Sequence, residues 1–211
     1  YEQQMYPGDG RVQYLVSGLF DTEDRMVRNA ITLFDSDRRE NGLVPMNCPT
    51  RGVQDALGFS ECEAMMFGDY AWQHANRDWL KERLPGLNHT LMGFATYEND
   101  DGLLGKTPGW NFVDWVPEWN MPGEEGGIPP DGNSERPNAE LNLQYLHAIH
   151  SAVLAEEAVG EMGLAGYWKE KEMRLSAAIK KVFWNRERAL FASEVTHRKF
   201  SEHAQCLALL A

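Results

Sequence analysis

The sequence predicts an all-α protein built from consecutive helical hairpins. Apolar residues recur with the period of an α-helix along most of the 211 residues, and no strand-like alternation competes with that pattern. Short connections alternate with long ones, as expected for a series of hairpins. Apolar residues make up 43% and charged residues 25% of the chain, which is typical of a globular domain.

The first hairpin is predicted on either side of Asp21. Apolar residues between Val12 and Phe20 follow the spacing of one helix face, and those between Met26 and Phe34 repeat it. A Pro-Gly pair interrupts the chain just before Asp9, so Asp9 is the expected N-cap of the first helix. Asp21 or Thr22 is the expected N-cap of the second.

The second hairpin is predicted from a capping pattern. Ser60 and Glu63 have the spacing of a capping box, which predicts a helix from Ser60 to about His74. The next helix is predicted to begin near Asp78 and to contain Pro85 as a kink.

The last three helices have clear start or stop signals. Asn138 is the predicted N-cap of the fifth helix and Gly160 its predicted end. The sixth helix carries the apolar residues from Leu164 to Phe183. Ser201 is predicted to begin a seventh helix that continues to Ala211.

The long connections predict the position of a site. They cover 38–59, 99–137 and 185–200, and alternation places all of them at one end of the array, beside the N-termini of the odd-numbered helices. The related phrases Asn41–Val44 and Asp101–Leu104 suggest a faint repeat of the hairpin unit. Three hairpins and one helix make about half of a closed toroid of six.

The ends of the sequence favour an incomplete unit. It begins at Tyr1 without an initiator methionine and finishes on the apolar run 206–211. We therefore expect residues 1–211 to form a single partial domain, with three hairpins and the start of a fourth. The remaining half of the toroid, or a homo-oligomer partner, would then cover its apolar faces.

Charge and cysteine content exclude several classes of function. With 20 Lys and Arg against 32 Asp and Glu, the formal net charge is −12, which argues against nucleic-acid binding and suits a neutral substrate. The sequence contains no run of about 18 apolar residues, so no membrane span is predicted. The three cysteines form no C-x-x-C pair, and His147 and His150 have no third ligand at useful spacing, so neither a metal nor a cofactor is expected.

The connection 99–137 carries the strongest chemical pattern. Structureless loops longer than about 15 residues are uncommon and are usually functional. Between Trp110 and Trp119 this one holds three tryptophans with Asp114 and Glu118, a combination that suits a sugar, because indole rings stack on its C–H faces and carboxylates bind its hydroxyls. The alternative is that the tryptophans are core residues that close the toroid mouth.

Two further carboxylates, Glu2 and Asp9, are predicted at the same end. Glu2 could equally be a solvated loop residue and Asp9 a simple helix cap. A carboxylic acid that is desolvated near aromatic rings has a raised pKa, as a general acid requires.

Several segments taken together resemble a known family. Tyr1-Glu2-Gln3, Gly8-Asp9-Gly10-Arg11, Trp110-Asn111-Phe112-Val113-Asp114-Trp115 and Phe200-Ser201-Glu202-His203-Ala204 are similar to bacterial α-L-rhamnosidases of glycoside hydrolase family 78. The resemblance covers essentially the whole chain in order. It implies an (α/α)6 six-hairpin catalytic barrel and a rhamnose-containing glycan or glycoside as the partner.

The resemblance also implies roles for individual residues. Glu2 matches the general acid, and Asp9, seven residues later, matches a carboxylate that binds rhamnose hydroxyls. Asp114 and Trp115 match an Asp-Trp pair at the barrel mouth, where the tryptophan would contact the sugar. Tyr6 stands where the family often has a tryptophan.

The remaining implications concern residues inside and outside this chain. Trp110 is a further candidate for the sugar site, and His203 is expected to be structural. Family members invert the anomeric configuration, and their general base lies in the second half of the barrel, so that role is not assigned to Glu118, Glu124 or Glu125. The resemblance implies a soluble bacterial protein and leaves the compartment open between cytoplasm and periplasm.

Two other interpretations of the sequence stay open. The chain could belong to a different six-hairpin glycosidase with another sugar specificity. It could also be a non-catalytic helical toroid that binds a glycan or a partner chain through its aromatic mouth.

Overall fold

The computed structural model describes residues 3–50, 52, 54–120 and 125–211. Within these ranges the chain forms seven α-helices: α1 (Pro7–Ser17), α2 (Arg25–Ser36), α3 (Leu57–Gln73), α4 (Arg77–Ala95), α5 (Ala139–Val159), α6 (Met162–Phe183) and α7 (Glu202–Leu210). A 3₁₀ turn covers Pro117–Trp119. The two-residue strands β1 (Trp184–Asn185) and β2 (Leu190–Phe191) pair antiparallel in the connection after α6.

The odd-numbered helices form an inner row, with α2, α4 and α6 packed outside it. Along this row α1 packs on α3, α3 on α5, and α5 on α7. A Cβ at Gly58, near the start of α3, would lie 3.3 Å from Gln144 Oε1, and one at Gly68, near its end, 2.7 Å from Ser151 Cβ. Both contacts advance in the same direction along α5, so α3 and α5 run parallel.

Consecutive helices are antiparallel within a hairpin. The ring of Tyr70, near the end of α3, lies 4.7 Å from that of Trp79, near the start of α4. Ser201, which precedes α7, bonds Glu140 at the start of α5. The N-termini of the inner helices therefore meet at one end, as the alternating connection lengths predict.

Burial is concentrated at the middle of the row. Helices α3 and α5 are buried around most of their circumference, as expected for helices with neighbours on several sides. Helices α1 and α7 lie at its edges, where Val12, Val16 and Leu209 are exposed. The prediction of an all-α array corresponding to about half of a six-hairpin toroid is confirmed.

A buried ion pair connects the first two hairpins. Arg38 donates to Glu63 at 2.8 Å, and their side chains are 6% and 0% exposed. The same guanidinium also bonds Asp35, the carbonyl oxygen of Gly42 and the hydroxyl of Thr90. A single side chain thus links α2, α3, α4 and the connection 37–56.

The predicted signals at the later helices are confirmed. The Asn138 side chain accepts from the Leu141 N–H at 3.0 Å and the Ser201 hydroxyl from the Ala204 N–H at 2.9 Å, as N-caps do. Gly160 ends α5 with a φ of 80°, the left-handed conformation that glycine adopts without strain.

Three predicted helix starts are wrong. Helix α1 begins at Pro7, so Asp9 lies in its first turn and is not its N-cap; the fixed φ of proline suits a first helical position. Helix α2 follows Asp24, not Asp21 or Thr22. Helix α3 begins at Leu57, three residues before the predicted Ser60.

The capping box at Ser60 is also wrong, for a physical reason. The Ser60 hydroxyl is buried inside α3, where it donates to the Val44 carbonyl and accepts from the Val44 N–H. The Glu63 carboxylate forms its ion pair with Arg38 and does not bond the helix N-terminus. Both side chains serve tertiary contacts instead of the helix end.

The described residues contain no helix long and apolar enough to cross a membrane.

Candidate sugar site at the mouth of the array

A row of five aromatic rings crosses the end where the inner helices begin. Tyr6 precedes α1 and lies 6.3 Å from Phe59 of α3, which lies 6.2 Å from Phe112 in the connection 96–138. Phe112 contacts Trp110 at 4.7 Å and Trp115 at 5.0 Å, measured between ring centroids. We call these five residues the aromatic row.

Hydrogen bonds hold the connection that carries this row. The Trp110 N–H donates to the Asp55 carbonyl at 2.8 Å, and its indole Nε1 donates to the Gly126 carbonyl at 2.9 Å. The buried side chain of Asn111 donates to the Gly132 carbonyl at 2.9 Å. Because its polar groups are paired within the protein, this part of the connection has a defined shape.

Burial separates the tryptophans of the Trp-rich motif 110–119. Trp115 is 65% exposed, so its ring is accessible to a ligand, whereas Trp119 is 7% exposed and packs 4.9 Å from the His203 ring. Trp110 lies between these extremes. One member of the motif therefore belongs to the core and another faces solvent.

Asp114 forms the polar part of the site together with His203. Nε2 of His203 lies 2.8 Å from Asp114 Oδ2, and Oδ1 of the same carboxylate accepts from the Trp115 N–H at 2.7 Å. The hydrogen bond from His203, helped by that N–H, lowers the pKa of Asp114 below its usual value. Asp114 thus presents an ionised carboxylate beside an exposed indole.

Buried groups below this pair fix the start of α7. The Ser201 hydroxyl, which caps α7, donates to Glu140 Oε1 at 2.6 Å, and Asn138 donates to Glu140 Oε2 at 2.9 Å. Burial raises the pKa of Glu140, opposed by these hydrogen bonds. His203 stands two residues after Ser201, so the network orients the helix turn that reaches Asp114.

The remaining predicted residues lie around α1. The Tyr6 hydroxyl donates to Gln4 at 3.3 Å and accepts from Asn47 at 3.4 Å, which fixes the near end of the aromatic row. Asp9 is exposed in the first turn of α1, at the same end of the array. Glu2, the predicted general acid, lies outside the described residues.

Sequence reasoning missed two residues at this end. Phe59 joins Tyr6 to Phe112, but it lies within a largely buried helix and has no local signal of a site. His203 was expected to be structural, yet it bonds Asp114. Its place in the first turn of an inner helix, at the end that holds the loops, is the signal that could have found it.

Taken together, the fold and the mouth define a class of protein. A row of parallel inner helices inside an outer layer, with carboxylate and indole groups at the inner N-termini, is the arrangement of a six-hairpin glycosidase domain. Among the described residues, no three His, Cys, Asp or Glu side chains are grouped to hold a metal ion.

The chain belongs to the bacterial alpha-L-rhamnosidase six-hairpin glycosidase domain family, whose model matches residues 1–211. Among curated proteins, no sequence matches it significantly.

Solved structures share the fold. The GH78-family rhamnosidase of Bacillus sp. GL1 is 22% identical with a TM-score of 0.82, and the match covers 100% of this chain and 21% of that one. A rhamnosidase from Klebsiella oxytoca with rhamnose bound is 19% identical with a TM-score of 0.79, covering 99% of this chain and 38% of that one. The chain thus spans well under half the length of these relatives.

Proposed function

We propose that the protein hydrolyses terminal α-L-rhamnosides with inversion of the anomeric configuration. The observation that carries this proposal is Asp114, bonded to His203, beside the exposed Trp115 at the mouth of a chain in the rhamnosidase domain family. The rhamnose bound to the Klebsiella oxytoca relative supports the choice of sugar.

The side chains at the mouth suit the chemistry of rhamnose. Its C5 carries a methyl group, and an exposed indole such as Trp115 offers that group and the C–H face of the ring an apolar surface. Asp114 accepts hydrogen bonds from sugar hydroxyls, and His203 keeps its carboxylate ionised and oriented. Asp9 supplies a second carboxylate to the hydroxyls.

The reaction needs an acid and a base on opposite faces of the sugar. Glu2 protonates the glycosidic oxygen, and Tyr6, close to it in the chain, forms part of the surrounding aromatic wall. The base activates water on the other face, roughly 6.5–9.5 Å from the acid in inverting enzymes. We assign that base to the second half of the barrel, outside residues 1–211.

The test is hydrolysis of an aryl α-L-rhamnoside by the protein that carries residues 1–211 together with the second half of the barrel. Glu2→Gln is expected to abolish release of rhamnose from natural glycosides, and proton NMR is expected to show the inverted anomer first. Glu125→Gln is the matched control, since it changes an exposed carboxylate and is expected to retain activity.

Four results would count against the proposal. Full activity of Glu2→Gln on natural glycosides, whose leaving groups need protonation, would remove the acid assignment. Cleavage of fucosides or glucosides without rhamnosides would select another six-hairpin glycosidase. Sugar binding without turnover would select a glycan-binding toroid. Residues 1–211 alone are expected to give little turnover, and strong hydrolysis by them would contradict a base elsewhere.

A further inference from the structure

Glu140 lies where both partners of the Asp114–His203 bond are attached to the rest of the fold. It is fully buried in the first turn of α5, at the mouth end of the inner row. The helix dipole stabilises an acidic side chain at such a position without any tertiary partner. The two oxygens of Glu140 nevertheless bond different partners, and each partner leads to one side of the sugar site.

One path runs from Glu140 to His203. The Ser201 hydroxyl donates to Glu140 Oε1 at 2.6 Å and accepts from the Ala204 N–H at 2.9 Å. Because Glu140 accepts the single hydroxyl proton, the lone pairs of the Ser201 oxygen are left for the N–H group at the start of α7. Glu140 therefore orients the cap, and the cap holds the helix turn on which His203 stands.

A second path begins at the other oxygen of Glu140. The Asn138 amide donates to Glu140 Oε2 at 2.9 Å and to the Pro130 carbonyl at 2.6 Å. Asn138 is buried, so its amide must find its partners within the protein. Because the carboxylate fixes the orientation of this amide, it also fixes where the second half of the connection 96–138 meets α5.

This second path ends close to Asp114. The turn that contains Pro130 also contains Gly132, whose carbonyl accepts from the buried Asn111 side chain at 2.9 Å. Asn111 stands three residues before Asp114 in the Trp-rich motif. Short runs of hydrogen bonds thus connect the two oxygens of Glu140 with both partners of the bond that forms the polar part of the site.

We propose that Glu140 is a positioning residue of the sugar site, which holds His203 in register with Asp114. That this geometry serves rhamnose rests on the proposed function. A carboxylate suits the place because it accepts hydrogen bonds on both oxygens, whereas an amide accepts on one only. Glu140→Gln therefore keeps the shape of the side chain but leaves either Ser201 or Asn138 without its acceptor.

The first test measures rhamnoside hydrolysis by the protein that carries residues 1–211 together with the second half of the barrel. Glu140→Gln is expected to raise KM about tenfold, the scale of one weakened hydrogen bond to a charged group. The value of kcat is expected to stay nearly unchanged, because a displaced Asp114 binds the sugar less well in the ground state and in the transition state alike.

The matched control is Glu156→Gln, which is expected to leave KM unchanged. Glu156 is also a fully buried carboxylate of α5 that accepts from an asparagine, Asn88 at 2.7 Å, but it lies in the last turn, away from the mouth. Both variants change a buried carboxylate of the same helix, so a purely structural effect would appear in both.

A cycle of variants tests the path. His203→Phe keeps a ring against Trp119 but removes the bond to Asp114, and it is itself expected to raise KM. In that background Glu140→Gln is expected to raise KM no further, because its effect passes through His203. Ser201→Ala interrupts the same path with a smaller change and is expected to raise KM as Glu140→Gln does.

A measurement without substrate separates this proposal from the proposed function. In protein labelled with 15N at histidine, the ring signals of His203 report its bond to Asp114. They are expected to shift in Glu140→Gln and to stay in place in Glu156→Gln.

Rhamnoside hydrolysis with the wild-type KM in Glu140→Gln, equal increases in the two glutamine variants, or additive effects with His203→Phe would overturn the assignment of Glu140 only. Shifted His203 signals without any rhamnoside hydrolysis would overturn the proposed function and leave the positioning role of Glu140 supported. Unshifted signals in Glu140→Gln would overturn that role whether or not rhamnosides are hydrolysed.

Discussion

Replacement of Arg38 by methionine tests the account of how the hairpins are joined. Methionine keeps most of the apolar stem but removes the guanidinium from Glu63, whose side chain is fully buried. Removing one partner of a buried ion pair typically costs about 3–5 kcal/mol, since the remaining charge is left uncompensated. With typical total stabilities of about 5–15 kcal/mol, Arg38→Met should lose a large part of the free energy of unfolding.

The pH dependence of that loss has a defined sign. Burial raises the pKa of Glu63, against the opposing effect of Arg38. Without Arg38 the pKa of Glu63 rises further. Its carboxyl group must then either bind a proton on folding or remain ionised and destabilise the folded state. Lowering the pH from neutral towards the unfolded value of about 4.5 should therefore reduce the loss caused by Arg38→Met.

Urea unfolding followed by tryptophan fluorescence and far-UV circular dichroism measures the effect. The double variant Arg38→Met, Glu63→Gln removes both charges and is expected to be more stable than Arg38→Met alone by about 1–3 kcal/mol. The reasoning would be refuted if Arg38→Met lowered the free energy of unfolding by less than about 1 kcal/mol. It would also be refuted if the effects of Arg38→Met and Glu63→Gln, each measured alone, summed to the effect of the double variant.

Two further predictions concern pH and helix spacing. Burial, with smaller effects of Arg11 and His150, lowers the pKa of His147 from 6.5 to about 4. The folded state therefore binds fewer protons there than the unfolded state, and the contribution of His147 to the free energy of unfolding, complete above pH 6.5, should decline by about 2–3 kcal/mol as the pH falls to about 4. In a pH series of urea midpoints, His147→Gln should flatten the curve over that range. Gly68→Ala should lower the free energy of unfolding by about 1–3 kcal/mol, because the new Cβ meets Ser151. Gly166→Ala, with open space around it, is the control and should raise the free energy of unfolding by about 0.4–1 kcal/mol. Equal thermal midpoints for the two variants would contradict the close approach of α3 to α5.

Local signals predicted the helices whose ends are determined locally. Asn138 and Ser201 each bond an N–H three residues ahead, and Gly160 has a backbone conformation that few other residues adopt. Such contacts lie within one turn, so a short window of sequence contains all the relevant groups. From these helix ends and the lengths of the connections, the order of the hairpins and the common end of the inner helices could be predicted.

The wrong helix starts have the opposite cause. Ser60 bonds Val44, 16 residues away, and Glu63 bonds Arg38, 25 residues away. These tertiary partners compete with the capping role, and a window of four residues contains neither. At Pro7 the error was to treat proline as a break where it opened the helix.

The site was predictable in composition but not in pairing. The Trp-rich motif and Asp114 were found from residue type, because three indoles and two carboxylates in one long connection are unusual. Which indole is exposed depends on neighbours from other elements: His203 covers Trp119, while Trp115 stays 65% exposed. No periodicity within the motif contains that information.

The bond between Asp114 and His203 joins residues 89 positions apart. During synthesis the aromatic connection leaves the ribosome long before the helix that orients its carboxylate, so the mouth cannot reach its final geometry until a later hairpin has formed. Closing a loop of this length carries an entropic cost that earlier packing must offset. We therefore expect the hairpins to pack before the mouth reaches the geometry that binding requires.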